Sequence, residues 1–318
     1  MSATKTFQSE LIFGPVPSRR LGRSLGVDLV PFKTCPYDCI YCQLGRTTCK
    51  TIERKEFVPL AAVLEQLKAK LDTRPDVITL SGSGEPTLYL PLEALIAGIK
   101  QMTDIPVVVL TNGALLHQSK VQQALLQADV VMPSLDAGRA DSYQYVNRPH
   151  KSLTYESLIQ GLIDFRQVFQ GQYWLEVMLL AGVTTTQKQI EVMGKIIKSI
   201  NPDRIQINTV TRPPTEGFAE RVEASQLKRL AGQLHPKAEV IVDYLGIHTE
   251  GEFVACEADV LALLKRRPCS VADIASGLNL HRNHVIKSVQ SLVTQKQIKG
   301  VLRHETVFYQ IDKSVAKT

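Results

Sequence analysis

No run of about 18 apolar residues occurs in this 318-residue chain, so the sequence offers no segment that could cross a membrane as a helix. The opening Met1-Ser2-Ala3-Thr4-Lys5-Thr6 lacks the apolar core of a secretory leader, and the expectation is a cytoplasmic protein with no membrane partner. Cysteine occurs six times, and three of the six, Cys49, Cys256 and Cys269, are scattered. No disulfide framework can be drawn from that pattern, in keeping with a reducing compartment. Neither a repeat of fixed period nor a low-complexity tract is present, so a solenoid is not supported. What remains is an ordinary globular composition, 44% hydrophobic and 21% charged, in a length that suits one large or two unequal domains.

Charge is unevenly placed. The chain carries a net +6, and residues 256–318 hold ten Lys or Arg against five Asp or Glu, so nearly all of the surplus sits at the C-terminus. A near-neutral body with a basic appendage implies two modules with different partners.

The other three cysteines stand in Thr34-Cys35-Pro36-Tyr37-Asp38-Cys39-Ile40-Tyr41-Cys42, a C-x3-C-x2-C spacing with an aromatic before the last. Three thiols on one short loop are a ligand set. A structural zinc site needs a fourth ligand, and the nearest candidate is Cys49, seven residues on in a polar loop. An iron-sulfur cube held by three cysteines leaves one iron open, where amino and carboxylate groups can bind.

At these residues the sequence resembles the radical S-adenosylmethionine (SAM) enzymes. The resemblance implies that Cys35, Cys39 and Cys42 ligate a [4Fe-4S] cluster, that Tyr41 stands beside the cofactor, and that SAM chelates the fourth iron. It also implies an electron donor, whose electron splits SAM into methionine and a 5′-deoxyadenosyl radical that abstracts hydrogen from a substrate.

Beyond the cysteines, apolar strand patterns alternate with amphipathic helical ones. Strands are expected at 25–30, 77–81, 107–111, 130–134, 174–180 and 204–209, with a last one at 239–243. Helices are expected at 60–71, 92–102, 120–127, 155–169, 187–200 and 225–234. The fold class is α/β, a partial (β/α)6 TIM-like barrel over residues 1–245, with chemistry at the C-terminal ends of its strands. The segment 14–26, rich in Gly, Pro and Arg, reads as an ordered loop.

Strand 77–81 runs into Ser81-Gly82-Ser83-Gly84-Glu85-Pro86-Thr87, where small residues let backbone approach a ligand. By resemblance, Ser83, Gly84 and Glu85 contact the methionine amino group of SAM; the alternative is a tight turn with an exposed Glu. Ser134 and Asp136, on one face by alternation, are candidates for the SAM ribose hydroxyls. Glu176, a carboxylate inside an apolar strand, must be paired or face a polar cavity. Asn208 and Arg212 are candidates for SAM or substrate, against a turn or capping role.

Gly14-Pro15-Val16-Pro17-Ser18-Arg19-Arg20, Cys42-Gln43-Leu44-Gly45-Arg46-Thr47-Thr48 and the glycine-rich turn together resemble a group near the tRNA wybutosine-synthesis enzymes, over about residues 11–245. The second cluster of the wyosine-forming enzymes has no counterpart among the three scattered cysteines.

Past a polar linker at 246–255, helices at 257–267, 270–277 and 281–297 and strands at 298–303 and 306–311 make residues 256–318 resemble a winged helix-turn-helix domain. Asn283, Lys287, Gln290 and Thr294 share one outward face of its third helix, suited to nucleic acid or to a protein partner. The function expected is a radical SAM enzyme whose C-terminal domain delivers a substrate. The alternative is an iron-sulfur redox sensor that binds DNA.

Overall fold

The computed structural model describes residues 10–18, 20–241, 257–278, 280, 282–303 and 305–312. It opens with a hairpin, β1 (Ile12–Ser18) against β2 (Gly22–Asp28). The segment expected as a loop is therefore paired strand. Its prolines are compatible with this because β1 is an edge strand, where a missing N–H costs no ladder bond. Two short strands, β3 (Thr34–Cys35) and β4 (Cys49–Lys50), pin the two ends of the cysteine loop together.

The chain then alternates: α1 (Leu60–Lys68), β5 (Val77–Ser81), α2 (Leu92–Met102), β6 (Val107–Thr111), α3 (Ser119–Leu125), β7 (Val130–Pro133), α4 (Ala140–Asn147), α5 (Tyr155–Val168), β8 (Gln172–Leu179), α6 (Gln187–Ile200), β9 (Arg204–Thr209), α7 (Ala224–Leu234) and β10 (Ala238–Val240). From β2 through β5 to β10 all pairs are parallel, in the sheet order β1-β2-β5-β6-β7-β8-β9-β10. Helices cover strands whose apolar side chains are almost wholly buried, such as Val107, Val109, Leu175, Val177, Ile205 and Ile207.

Helix α6 shows the local logic. The Thr186 side chain accepts from Gln189 N at its start, and Ile190, Met193, Ile197 and Ile200 recur on the buried face. Asn201 ends the helix in a left-handed conformation, φ 52°. Each such side chain contributes roughly 1.5–3 kcal/mol by burial, and Ile197→Ala would cost about 2–4 kcal/mol through the cavity it leaves.

The C-terminal module contains α8 (Glu257–Arg266), β11 (Cys269–Ser270), α9 (Val271–Leu278), α10 (Arg282–Thr294), β12 (Ile298–Arg303) and β13 (Thr306–Ile311). Its three strands pair antiparallel in the order β11-β13-β12. It has its own core around Val260, Leu264, Ile274, Val285, Val289 and Leu292. A capping box starts α9, with Ser270 and Asp273 bonded reciprocally at 2.9–3.0 Å. The linker read at 246–255 lies outside the described residues. Among the described residues no helix is long and apolar enough to cross a membrane.

The module is docked on the body. Val16 of β1 packs against its core. Arg266 forms an ion pair with Asp28 and lies 4.0 Å over the Phe13 ring, and Arg212 pairs with Asp273 at 3.2 Å.

Candidate active site

The cysteine loop leaves β2 at the C-terminal end of the sheet and is held from several sides. Ile40 N donates to Val146 O and Asp38 N to Asn147 O, both from α4, while His150 N donates to Pro36 O. On the other flank Thr215 Oγ1 donates to Cys42 O at 2.8 Å and Glu216 N to Ile40 O. Tyr37, 2% exposed, anchors the loop beneath and accepts a hydrogen bond from the Tyr143 hydroxyl. Helix α4, which the sequence reading did not anticipate, is thus one of the supports of the loop.

The glycine-rich turn lies against the same loop. Lys33 N donates to Ser83 O at 2.6 Å and Glu85 N to Thr34 O at 3.1 Å. A Cβ at Gly84 would sit 2.1 Å from Thr34 O, and one at Gly82, whose φ is +107°, would sit 1.7 Å from Asp28 Oδ1. Only glycine fits at either position. Ser83 donates through its N–H (2.6 Å) and its hydroxyl (3.2 Å) to the Asp28 carboxylate.

Each cysteine sulfur has a nitrogen donor. Lys33 Nζ donates to Cys42 Sγ at 3.1 Å, Asn112 Nδ2 to Cys35 Sγ at 3.3 Å and Asn147 Nδ2 to Cys39 Sγ at 3.5 Å. The two asparagines are themselves held by buried carboxylates. Glu85 Oε2 accepts from Asn112 N at 2.8 Å, and Asp136 Oδ2 accepts from Asn147 Nδ2 at 2.8 Å. Such outer partners fix ligand orientation in metal sites.

Two of the candidate acids, Glu85 and Asp136, are deeply buried in this arrangement. Glu85 is not exposed: it is 2% accessible, and its oxygens accept from Thr87 N, Thr87 Oγ1, Thr111 Oγ1 and Asn112 N. Asp136, 4% accessible, accepts from the Tyr41 hydroxyl at 2.5 Å, Asn147 Nδ2 and Met178 N. Both carboxylates are taken up by protein donors in the walls around the sulfurs. Ser134, half-buried, bridges to Glu176 just beyond β7.

Burial dominates the electrostatics of these thiols and acids. Burial pushes the Cys35 thiol up to about 12, with the Glu85 charge adding to it. Burial, then Asp136 and the other two cysteines, push Cys39 well above the ordinary range. Burial also raises Glu85 and Asp136 against their hydrogen bonds. A set of thiols and carboxylates this buried becomes favourable in its anionic form when a positively charged centre binds to it. Among the described residues, no three His, Cys, Asp or Glu side chains converge closely enough for one metal ion.

Beside Tyr41 and Cys42 opens a cavity of about 840 Å³, walled by Glu176 and Met178 of β8, Asn208 of β9 and the loop after β9, and closed by the C-terminal module. Glu176 meets the requirement placed on it by the sequence: it faces this cavity and pairs with Arg20. Asn208 also lines it, its Oδ1 accepting from Thr209 N. Sequence reasoning missed Lys33, Asn147 and Asp28. A lysine two residues before the first cysteine was the one available signal, whereas Asn147 is brought in by tertiary packing alone.

Residues 29–188, half of the chain, match the Radical SAM superfamily. A UPF0026 protein of Methanocaldococcus jannaschii is 34% identical over 310 residues, spanning 94% of this chain and 95% of that one. A Brachyspira hyodysenteriae protein named GTPase Obg is 35% identical over 310 residues, covering 96% of this chain, which spans 46% of that longer protein. Among solved structures, Streptococcus suis SuiB bound to precursor peptide SuiA superposes with a TM-score of 0.50 at 16% identity, over 63% of this chain and 43% of that one. The superposition shows the shared fold, an α/β partial barrel. The chain belongs to the radical SAM superfamily and, by its relatives, to the UPF0026 proteins. It is an enzyme of that class, whose cofactors are a [4Fe-4S] cluster and SAM.

Proposed function

We propose that Cys35, Cys39 and Cys42 hold the [4Fe-4S] cluster, that SAM sits between it and the Ser83-Gly84-Glu85 turn, and that the substrate occupies the cavity beside Cys42. When bound, the reduced cluster supplies the electron that splits SAM into methionine and a 5′-deoxyadenosyl radical. The observation that carries this reading is the set of three sulfurs, each with its own N–H donor, on a loop whose Tyr41 and Cys42 line a cavity large enough for a substrate.

The chain's own residues have defined tasks in this scheme. Asn112 and Asn147 orient the first two sulfurs, and Lys33 places a positive charge on the third. SAM lies along the Gly82–Gly84 turn, with Ser134 just beyond β7 for its ribose and Asn208, which lines the cavity, for SAM or substrate. Tyr41, locked by Asp136, packs beside the cluster loop.

The domains are residues 1–245, a (β/α)6 partial barrel, a linker at 246–255, and a winged helix-turn-helix domain at 256–318. Asn283, Lys287, Gln290 and Thr294 are exposed along α10, which supports a docking face for nucleic acid ahead of protein. With the tRNA-modifying resemblance of the barrel, this favours an RNA-borne substrate in the cytoplasm. Anaerobic reconstitution followed by chromatography for 5′-deoxyadenosine under strong reductant tests the enzyme reading; a colourless, zinc-loaded protein without SAM cleavage defeats it.

A further inference from the structure

The cavity closed by the C-terminal module is strongly basic. Its wall carries Arg20, Arg212, Arg221, Lys228, Arg267 and Arg303 against three acids, Glu176, Glu223 and Asp273. Arg20 is paired with Glu176 and Arg221 with Glu223. Asp273 is left between two guanidinium groups, Arg212 at 3.2 Å and Arg267, whose charge it also feels. One carboxylate cannot balance two cations in a partly dry site.

Arg212 states the deficit at atomic level. Its side chain is 9% exposed, and its Nε is buried without a hydrogen-bond partner. A buried N–H donor left unmade costs about 1–3 kcal/mol, and more on a charged group. The loop that carries Arg212 is tied to the cysteine loop through Thr215 and Glu216, so the guanidinium is fixed relative to Cys42. From the opposite side Arg303 of β12 reaches across, its Nη2 within 3.7 Å of where a Cβ at Gly217 of that loop would stand. Burial, and then the Arg212 charge, hold the Arg267 guanidinium below its ordinary value, against the opposing pull of Cys269 and Asp273.

We infer that Arg212, Arg267 and Arg303 form a subsite for a phosphate group carried by the substrate. A carboxylate would neutralise one of the three surplus cations, which are Arg267, Arg303 and Lys228. A phosphate offers up to two charges and several oxygens to guanidinium groups that match them bidentately. The subsite spans the junction, Arg212 coming from the barrel and the other two arginines from the C-terminal module, so the module is a wall of the cavity as well as a docking device. The inference rests on taking this cavity as the substrate's.

The test is calorimetric titration of the full-length, cluster-reconstituted protein with pyrophosphate, a ribonucleoside 5′-monophosphate, a short single-stranded RNA and, as control, acetate. Phosphate compounds should bind well above acetate. Arg267→Gln and Arg303→Gln should each weaken them roughly tenfold. Asp273→Asn, which removes the internal competitor, should tighten them several-fold, an outcome that loss of folding cannot mimic. A stronger response to the mononucleotide assigns the phosphate to a small molecule, and a stronger response to RNA assigns it to a polynucleotide; either supports the subsite. Binding no better than acetate, arginine variants without effect, or displacement of phosphate by saturating SAM would overturn it. SAM binding measured in parallel separates the two readings: its loss with phosphate binding intact sinks the enzyme assignment and leaves the subsite standing.

Discussion

Arg266, the last residue of α8, forms an ion pair with Asp28, the last residue of β2, and the same Asp28 carboxylate accepts from the N–H and hydroxyl of Ser83 in the glycine-rich turn. The C-terminal module therefore touches, through one shared carboxylate, the turn against which SAM is expected to lie. Arg266→Ala removes the pair and the contact with Phe13 together. With both partners mostly buried, the expected loss is about 2–3 kcal/mol in denaturant unfolding, accompanied by weaker SAM binding in calorimetry. Unchanged SAM affinity in a destabilised variant would show that the turn holds its shape without the module.

Replacing any one of Cys35, Cys39 or Cys42 by Ala should abolish cluster content and SAM cleavage, because each is expected to supply one of the three thiolate ligands. Cys49 is exposed, and Cys269 is buried in the module's own core. A Cys49→Ala, Cys256→Ala, Cys269→Ala variant should retain its iron by colorimetric assay. Iron loss in that variant would mean that a second ligand set had been overlooked.

Much of the body was legible in the sequence for a simple physical reason. Strands such as Val77–Ser81 and Val107–Thr111 are buried on both faces, so their apolar runs stop where the strands stop. Helix α4 was not legible: its sequence, ADSYQYVN, buries only Tyr143, Val146 and Asn147. The strand expected at 25–30 overlaps β2, but the prolines of β1, which an edge strand tolerates, hid its pairing. At the site, the cysteines were plain from spacing, but Asn147 to Cys39 and Arg212 to Asp273 are contacts across 108 and 61 residues that no local pattern announces. The burial of Glu85 was missed because a Glu before Pro reads as an exposed turn residue until the Thr87 and Thr111 hydroxyls are seen to cover it.

Glu85 supplies the next expectation. It accepts four hydrogen bonds while 2% exposed, so Glu85→Gln turns one acceptor oxygen into a donor facing donors. The cost should be about 2–4 kcal/mol of stability. Because Asn112 loses its anchor, the cluster in this variant should also bleach faster in air than in the wild type. Wild-type stability would show that the turn does not depend on this carboxylate.

Asp273 gives a dependence on pH. Burial alone would push its carboxyl up, but the Arg212 guanidinium and the N–H and hydroxyl of Ser270 outweigh burial and hold it below its ordinary value of 3.8. A carboxyl with a depressed folded pKa contributes stability above its unfolded pKa and loses it as pH falls through the folded one. The stability gap between wild type and Asp273→Asn, about 1–2 kcal/mol, should thus be constant from neutrality to about pH 5 and close below about pH 4. A gap that widened in acid would mean that the Arg212 pair does not govern this group.

The outward face of α10 yields the last expectation. Lys287 and Gln290 are exposed there, with Thr294 a turn further on, while Val285, Val289 and Leu292 hold the opposite face in the core. If this face meets nucleic acid, affinity should fall steeply with salt, and Lys287→Ala should lower the slope of log affinity against log salt by roughly one. That variant leaves Arg212, Arg267 and Arg303 in place, so binding of a mononucleotide phosphate in the cavity should not change. The two measurements therefore divide the module's charge into two jobs, a screened outer contact and a buried inner one. Filter binding of RNA and DNA from low to moderate salt reads the first and calorimetry with the mononucleotide reads the second. No binding to either polymer at low salt would assign the face to a protein partner.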